Sequence, residues 1–474
     1  MNRISRLSLA LLSLLGTGLL ATACSSSSSS TSTTVAAPAT VSQVVWMNSY
    51  DSPGTPAQYN KVGVVKIGSP TAKNVLVLEP GTSGGSGYFE PLGRWIVSAN
   101  PSWQVWSVER RENLLENQSD LNLYKQHKIT SAQLYNYYLG YLKNPAIANH
   151  YQPVNPSTVT FAKQWGLNVA VEDLHTVIAA AHQLGGKVVL GGHSLGGAVV
   201  TAYATWDFNG TPGADGLAGL VFIDGASENQ VESATAATTA LDTLNAPSSS
   251  PWLVFGGIPA PFAGLFEATG AGAAYEDPNS ASLAQTSGLL PAAIVPPVPA
   301  TNLGLYGYAL NTLTSPPSLA AAQGHLGAGL TDTKPLAGWN STGALSPIRR
   351  FATMFYSPEL QNADGVEWYF PQRLTDDSAT VDNGNANPAQ SVLGVKATMG
   401  HDLPKTLLMY AFGAKLFGVH AITSTEELAA QSGIPAANLT LVDRQSTYAH
   451  NDPAAAYPTN DFYQGLLPFL KKIG

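Results

Sequence analysis

The sequence predicts an α/β architecture: a mostly parallel, eight-stranded sheet with helices on both faces and a large inserted cap. Three observations carry that expectation. Short apolar runs bounded by Gly, Pro, Asn or Asp alternate along the chain with segments of helical period. One strand-to-helix passage, Val188 to Trp206, runs through a glycine-flanked serine. Two long excursions interrupt the alternation, and both leave from strand ends expected to share one rim of the sheet.

Taken in order, the chain opens with Arg3 and Arg6 ahead of an apolar run from Leu7 to Leu20, too short to span a bilayer comfortably, so it reads as an export signal over residues 1 to 23. The run ends in Leu20-Ala21-Thr22-Ala23-Cys24, which is similar to the lipobox of bacterial lipoproteins. That resemblance implies an acylated Cys24 and a membrane anchor. It departs at Ala21, where such signals most often carry Leu, which leaves ordinary cleavage after Ala23 and simple secretion as the alternative. Cys24 is the only cysteine of the 474 residues, so no internal disulfide can form. Losing residues 1 to 23 removes two arginines and no acid, making the formal charge of −8 two units more negative. Ser25 to Thr40 holds almost only Ser, Thr, Ala and Val; it cannot bury enough apolar area to offset its ordering entropy and reads as a tether.

The folded domain is expected over 41 to 474. Val41 to Asn48 and Lys61 to Ile67 read as an antiparallel pair, and Asn74 to Glu79 as a buried strand ending in the Gly-rich Pro80 to Gly85. Trp103 to Val108 is a further strand. Glu172 to Leu184 has helical spacing and stops at Gly185-Gly186, and Lys187 to Leu190 is strand. Leu195 to Trp206 is helix, and Leu217 to Ile223, Thr406 to Phe412 and Asn438 to Val442 are strands. The excursions, about 111 to 165 and 228 to 400, are expected to form the cap. Within them Tyr135, Tyr137, Tyr138 and Tyr141 read mainly as packing, and the apolar stretches Pro251 to Phe266 and Gly288 to Leu305 mainly as core.

Composition narrows the function. Charged residues are 11% of the chain, against roughly 25% in an ordinary soluble protein. No basic stripe could hold a phosphate backbone, which argues against a nucleic-acid partner. No H-E-x-x-H, paired Cys/His or EF-hand spacing supports a metal site, and no cofactor is expected.

The chemistry concentrates at Gly192-His193-Ser194-Leu195-Gly196, a G-x-S-x-G window between strand and helix. The window alone says little, because Gly81-Thr82-Ser83-Gly84-Gly85 matches it too. Context separates them. A serine hydroxyl is a poor nucleophile until a base takes its proton, and a tight strand-to-helix turn thrusts its oxygen into a cleft where a base can reach it. The following helix also offers unpaired N–H groups toward developing negative charge. Ser194 meets these conditions. An imidazole titrating near ~6.5 can both accept and return a proton, and His401, His420 and His450 are the candidates around the last strands.

On these residues the chain from about Val41 to Gly474 resembles the α/β-hydrolase family, lipases and esterases among them, over its strands but not its excursions. The resemblance implies the chain order Ser, acid, His, with the general base just past the last strand, where His450 stands, ahead of His401 and His420; it also implies an oxyanion hole built from the N–H groups of Thr82 and Leu195, which makes Ser83 a loop residue. Where that family usually opens the first of these loops with His-Gly, this chain has Pro80-Gly81. The acid has two candidate positions. After the strand Thr406 to Phe412 the family usually places Asp, but Gly413-Ala414-Lys415 stands there, with Glu426 and Glu427 only later; after Leu217 to Ile223 stands Asp224, at a strand end that some lipases of the family use. Asp224 is the expected acid. The expected reaction is hydrolysis of a small-molecule carboxylic ester. A peptidase of the same fold is an alternative, with Glu228, Glu232 or Glu267 available to hold a peptide terminus, and an inactive surface binding protein is another.

Overall fold

The computed structural model describes residues 40–227 and 230–474. The export signal, most of the tether, Cys24 and Glu228 lie outside the described residues. Eight strands form one sheet: β1 (Val45–Asn48), β2 (Lys61–Ile67), β3 (Asn74–Glu79), β4 (Trp103–Glu109), β5 (Val188–His193), β6 (Gly219–Ile223), β7 (Leu408–Gly413) and β8 (Leu439–Asp443). Their order across the sheet is β1-β2-β4-β3-β5-β6-β7-β8. β2 runs antiparallel to both its neighbours, and every other pair is parallel. This order, with the second strand reversed, is the sheet of the α/β-hydrolase fold.

The central strands are apolar on both faces because both faces are covered. On one face Val65, Leu76, Leu78, Val189, Val221 and Phe412 pack under Glu90–Ala99 and the C-terminal helix Asp461–Ile473. On the other, Val64, Val75, Val77, Leu190, Phe222 and Met409 pack under the helices Leu167–His182 and Leu195–Ala204. Successive residues of each strand alternate between these two cores, as the period of two requires.

Several element ends differ from the sequence expectation, each for a long-range reason. The helix expected from Glu172 starts at Leu167, where the Asp377 carboxylate accepts the Leu167 N–H at 2.9 Å from 210 residues away. The helix expected to reach Trp206 ends at Ala204, because Trp206 forms a β-bridge with Ala397. β1 begins at Val45, and Val41 makes only an isolated bridge to Ile67.

The two excursions fold against each other. Tyr138 packs edge-on against Trp368 at 5.4 Å, and the hydroxyls of Tyr151 and Tyr369 share a hydrogen bond of 2.5 Å. Lys125 Nζ donates to the Leu360 and Ala363 carbonyls at 3.0 and 2.7 Å. The longer excursion also grips the sheet: Gly84, in the loop after β3, forms a β-bridge with Val366.

Candidate active site

Ser194 occupies the step between β5 and the helix Leu195–Ala204, with φ 57° and ψ −129°. Such a conformation costs a non-glycine residue on the order of 1–3 kcal/mol and persists only where the surroundings enforce it. Here they do. The Ser194 N–H donates to the Ile223 carbonyl at 3.1 Å, its own carbonyl accepts the Gly197 N–H at 2.8 Å, and a side chain on Gly192 would sit 2.1 Å from the Gly196 carbonyl oxygen. The loop after β3 lies directly over the serine, since a Cβ on Gly81 would fall 2.7 Å from Ser194 Cβ and 3.3 Å from Oγ. Only glycine permits that approach. Ser83 has φ 55° but lies within this loop, its carbonyl accepting the Glu367 N–H at 2.8 Å, away from any strand-to-helix step.

Asp224 follows β6 directly, next in the chain to the residue whose carbonyl holds Ser194. Its Oδ1 accepts N–H bonds from Ala414, Phe417 and Gly418 at 2.8, 3.0 and 3.1 Å; its Oδ2 accepts one from Leu416 at 3.1 Å and a fifth bond, 2.7 Å long, from His450 Nδ1. Burial alone would raise this carboxyl, but the His450 hydrogen bond and charge, with the Gly418 and Ala414 amides, outweigh it and hold it below its ordinary range. An ionised carboxylate only accepts, so Nδ1 carries the imidazole hydrogen and Nε2 keeps its lone pair. Glu426 and Glu427 lie exposed on the helix Val419–Gln431, where Glu427 accepts a hydrogen bond from Asn383 at 3.1 Å. His401 is exposed, and His420 Nε2 bonds the Ser227 carbonyl at 2.6 Å.

The N–H groups of Thr82 and Leu195 have no hydrogen-bond partner among the described residues, and both residues are half-buried. An unpaired donor in such a place is available to a developing oxyanion.

His193, Arg110, Glu109 and Glu367 have no assigned role in the sequence reading. His193 Nε2 donates to the His450 carbonyl at 2.9 Å, and its ring lies 4.3 Å from that of His450 and 5.0 Å from that of Tyr88. Burial, with the neighbouring His450, lowers His193 to about 3, so it is a neutral donor that positions the His450 backbone. Arg110, immediately after β4, holds the loop over Ser194. Its guanidinium donates to the Pro80 carbonyl and, at 3.4 and 3.3 Å, to those of Gly81 and Gly84, while Glu79 at 2.8 Å and Glu367 at 3.0 Å balance its charge. Glu109, wholly buried beside it, accepts from the Ser86 N–H at 2.9 Å and from the Ser86 hydroxyl, and burial pushes it up to about 8 against those bonds. The sequence offered one signal only for these residues: His193 stands inside the motif. Among the described residues no group of three or more His, Cys, Asp or Glu side chains is arranged to hold a metal ion.

No family model and no curated protein matches the chain. Solved structures overlay loosely on it. They include a candidate lipase from Sulfolobus solfataricus (13% identity, 92% of this chain and 93% of that one, TM-score 0.44) and a carboxyl esterase from Bacillus coagulans (10%, 91% and 98%, 0.39). A monoacylglycerol lipase from Paleococcus ferrophilus is a third (12%, 87% and 99%, 0.37).

Two outcomes follow from the buried charges. Arg110→Lys keeps a positive charge but gives up the planar fork that spans several acceptors. Amide hydrogen exchange in residues 81–87 should quicken by about tenfold or more while β5 and β6 stay protected, and unchanged exchange would contradict the pinning role. Glu109 has its folded value raised from an unfolded one near ~4.3, so its contribution is complete below that pH and is lost as pH climbs through about 8. The thermal midpoint of the wild type should therefore drop between about pH 5 and 9, and Glu109→Gln should drop less; parallel curves would show that Glu109 is not raised.

Proposed function

We propose that this chain is a serine hydrolase that cleaves carboxylic esters, with Ser194 as nucleophile, His450 as general base and Asp224 as the carboxylate that orients and stabilises the imidazole. The observation that carries the reading is the 2.7 Å bond from His450 Nδ1 to Asp224, at the strand rim where Ser194 is held with positive φ. His450 Nε2 takes the Ser194 proton as Oγ attacks the ester carbonyl, and the Thr82 and Leu195 N–H groups receive the oxyanion. The tetrahedral species collapses by breaking the bond to the alcohol oxygen, to which His450 returns the proton, leaving Ser194 acylated. Water, giving a proton to His450, then attacks the acyl carbonyl; the acyl–Oγ bond breaks as His450 passes that proton to Oγ, which releases the acid and restores the serine.

The two excursions act as the cap over this rim. Of the carboxylates a peptidase would need to hold a peptide terminus, Glu232 is exposed at the surface and Glu267 is engaged by the Tyr306 hydroxyl at 2.8 Å in an apolar wall. That disposition favours esters over peptides. The chain is exported and held at the outer face of the membrane by an acylated Cys24, a reading that rests on the N-terminal sequence alone.

Ser194→Ala and His450→Ala should each remove nearly all turnover of p-nitrophenyl esters, because members of such a unit fail together, and Ser194→Ala should do so without lowering the thermal midpoint. Asp224→Asn should lose at least about a hundredfold in kcat where Glu427→Gln loses less than about twofold; the opposite ranking would put the acid elsewhere. In a bacterial host, Cys24→Ala should move the protein from the membrane fraction to the soluble fraction, and undiminished retention would rule out the anchor.

A further inference from the structure

The helices Ser131–Tyr138, Phe262–Glu276 and Asn302–Leu310, with the turn Pro317–Ala322, line a partly open cavity of about 200 Å³ inside the cap. Its wall is mostly carbon, from residues such as Leu134, Phe266, Ile294, Leu305, Leu310 and Leu319. The apolar stretches 251–266 and 288–305, expected to be core, thus line a void as well as fill one. Tyr135 alone of the four clustered tyrosines reaches it; Tyr138 packs on Trp368 and Tyr141 on His150.

One hydrogen-bonded link joins the wall of this void to the stretch that carries the proposed base, and the wall's chemistry says what fits it. Leu319 and Ala322 form one wall, and the carbonyls of Ala321 and Gln323 in the same segment accept the Asn451 amide at 3.0 and 3.2 Å, with the Asn451 N–H also on Gln323. Asn451 follows His450, so the cavity wall and the proposed base are neighbours through one hydrogen-bonded residue. Among the described residues the wall's one carboxyl is Glu267, which accepts from Tyr306, and no Lys or Arg lines the wall to pair with a charged chain end. An apolar cavity of ~150 Å³ takes a six-carbon ring, and in proportion this one takes roughly eight carbons.

We infer that the cap cavity binds one uncharged, unbranched hydrocarbon chain of roughly eight carbons, the acyl group of the ester. This rests on the esterase reading, which it deepens by naming the substrate class as medium-chain esters. Each methylene entering such a wall should gain about fourfold in kcat/KM until the cavity is full.

The test compares p-nitrophenyl esters from acetate to dodecanoate on the wild type and on Ala309→Phe and Ala273→Phe, which place a ring in the void from two different helices. The wild type should peak near octanoate. Each variant should lose at least about tenfold on octanoate, stay within about twofold on acetate and keep its thermal midpoint. An octanoate-to-acetate ratio equal to that of the wild type in both variants overturns the assignment while leaving ester hydrolysis standing. 1-Octanol binding, measured by calorimetry, separates the two readings if no ester is turned over: binding to the wild type that Ala309→Phe abolishes keeps the cavity as a chain site, and absent or unchanged binding removes it. Octanol inhibiting octanoate but not acetate hydrolysis marks the occupant as the substrate's acyl group, whereas equal inhibition of both marks a lipid bound apart from the substrate and overturns the acyl assignment.

Discussion

Keeping one carboxylate ionised out of water constrains this site more than any other interaction. A buried charge costs several kcal/mol unless it is paired and its lone pairs are filled. Asp224 is filled by four backbone amides and one imidazole. To present those amides, residues 414–418 must fold back over the end of β6, which they can do only if β6 and β7 are neighbours in the sheet. Once they are, the imidazole that completes the set can arrive from beyond β8 in a single orientation. Sheet order, loop path and histidine tautomer follow from the same demand.

A second buried charge serves the opposite side of the serine. Arg110 holds the loop that lies over Ser194, and one of the two carboxylates that balance it, Glu367, comes from the longer excursion 257 residues away. The excursion is therefore part of the site's construction and more than a cover for it. His325, from the same excursion, bonds Asp452 at 2.6 Å two residues past His450, and Asn451 bonds the cavity wall. The longer excursion and the segment that carries the proposed base are joined through these contacts.

The strands were legible because a doubly covered strand must be apolar at every position, and such runs stand out against Gly and Pro. The serine was legible because the turn it occupies demands glycine on either side. Asp224 could be read from its place at a strand end, although the role of the acid-free segment after β7 could not: the amides of Ala414, Leu416, Phe417 and Gly418 serve Asp224 directly. Arg110, Glu109 and Glu367 left no trace in local pattern, since each is explained by partners distant in the chain. The cavity was hidden for a different reason. Hydropathy reports that a residue avoids water, and a wall facing a void satisfies that as fully as one facing a neighbour.

The central claim is that Asp224 and His450 together make the Ser194 oxygen nucleophilic. A fluorophosphonate, which reacts covalently only with an activated hydroxyl, followed by mass mapping of the modified peptide, tests it most directly. The adduct should fall on Ser194 in the wild type and form slower by about two orders of magnitude or more once Asp224 is made Asn. An adduct on Ser83, or labelling of Ser194 at an unchanged rate in that variant, would contradict the account.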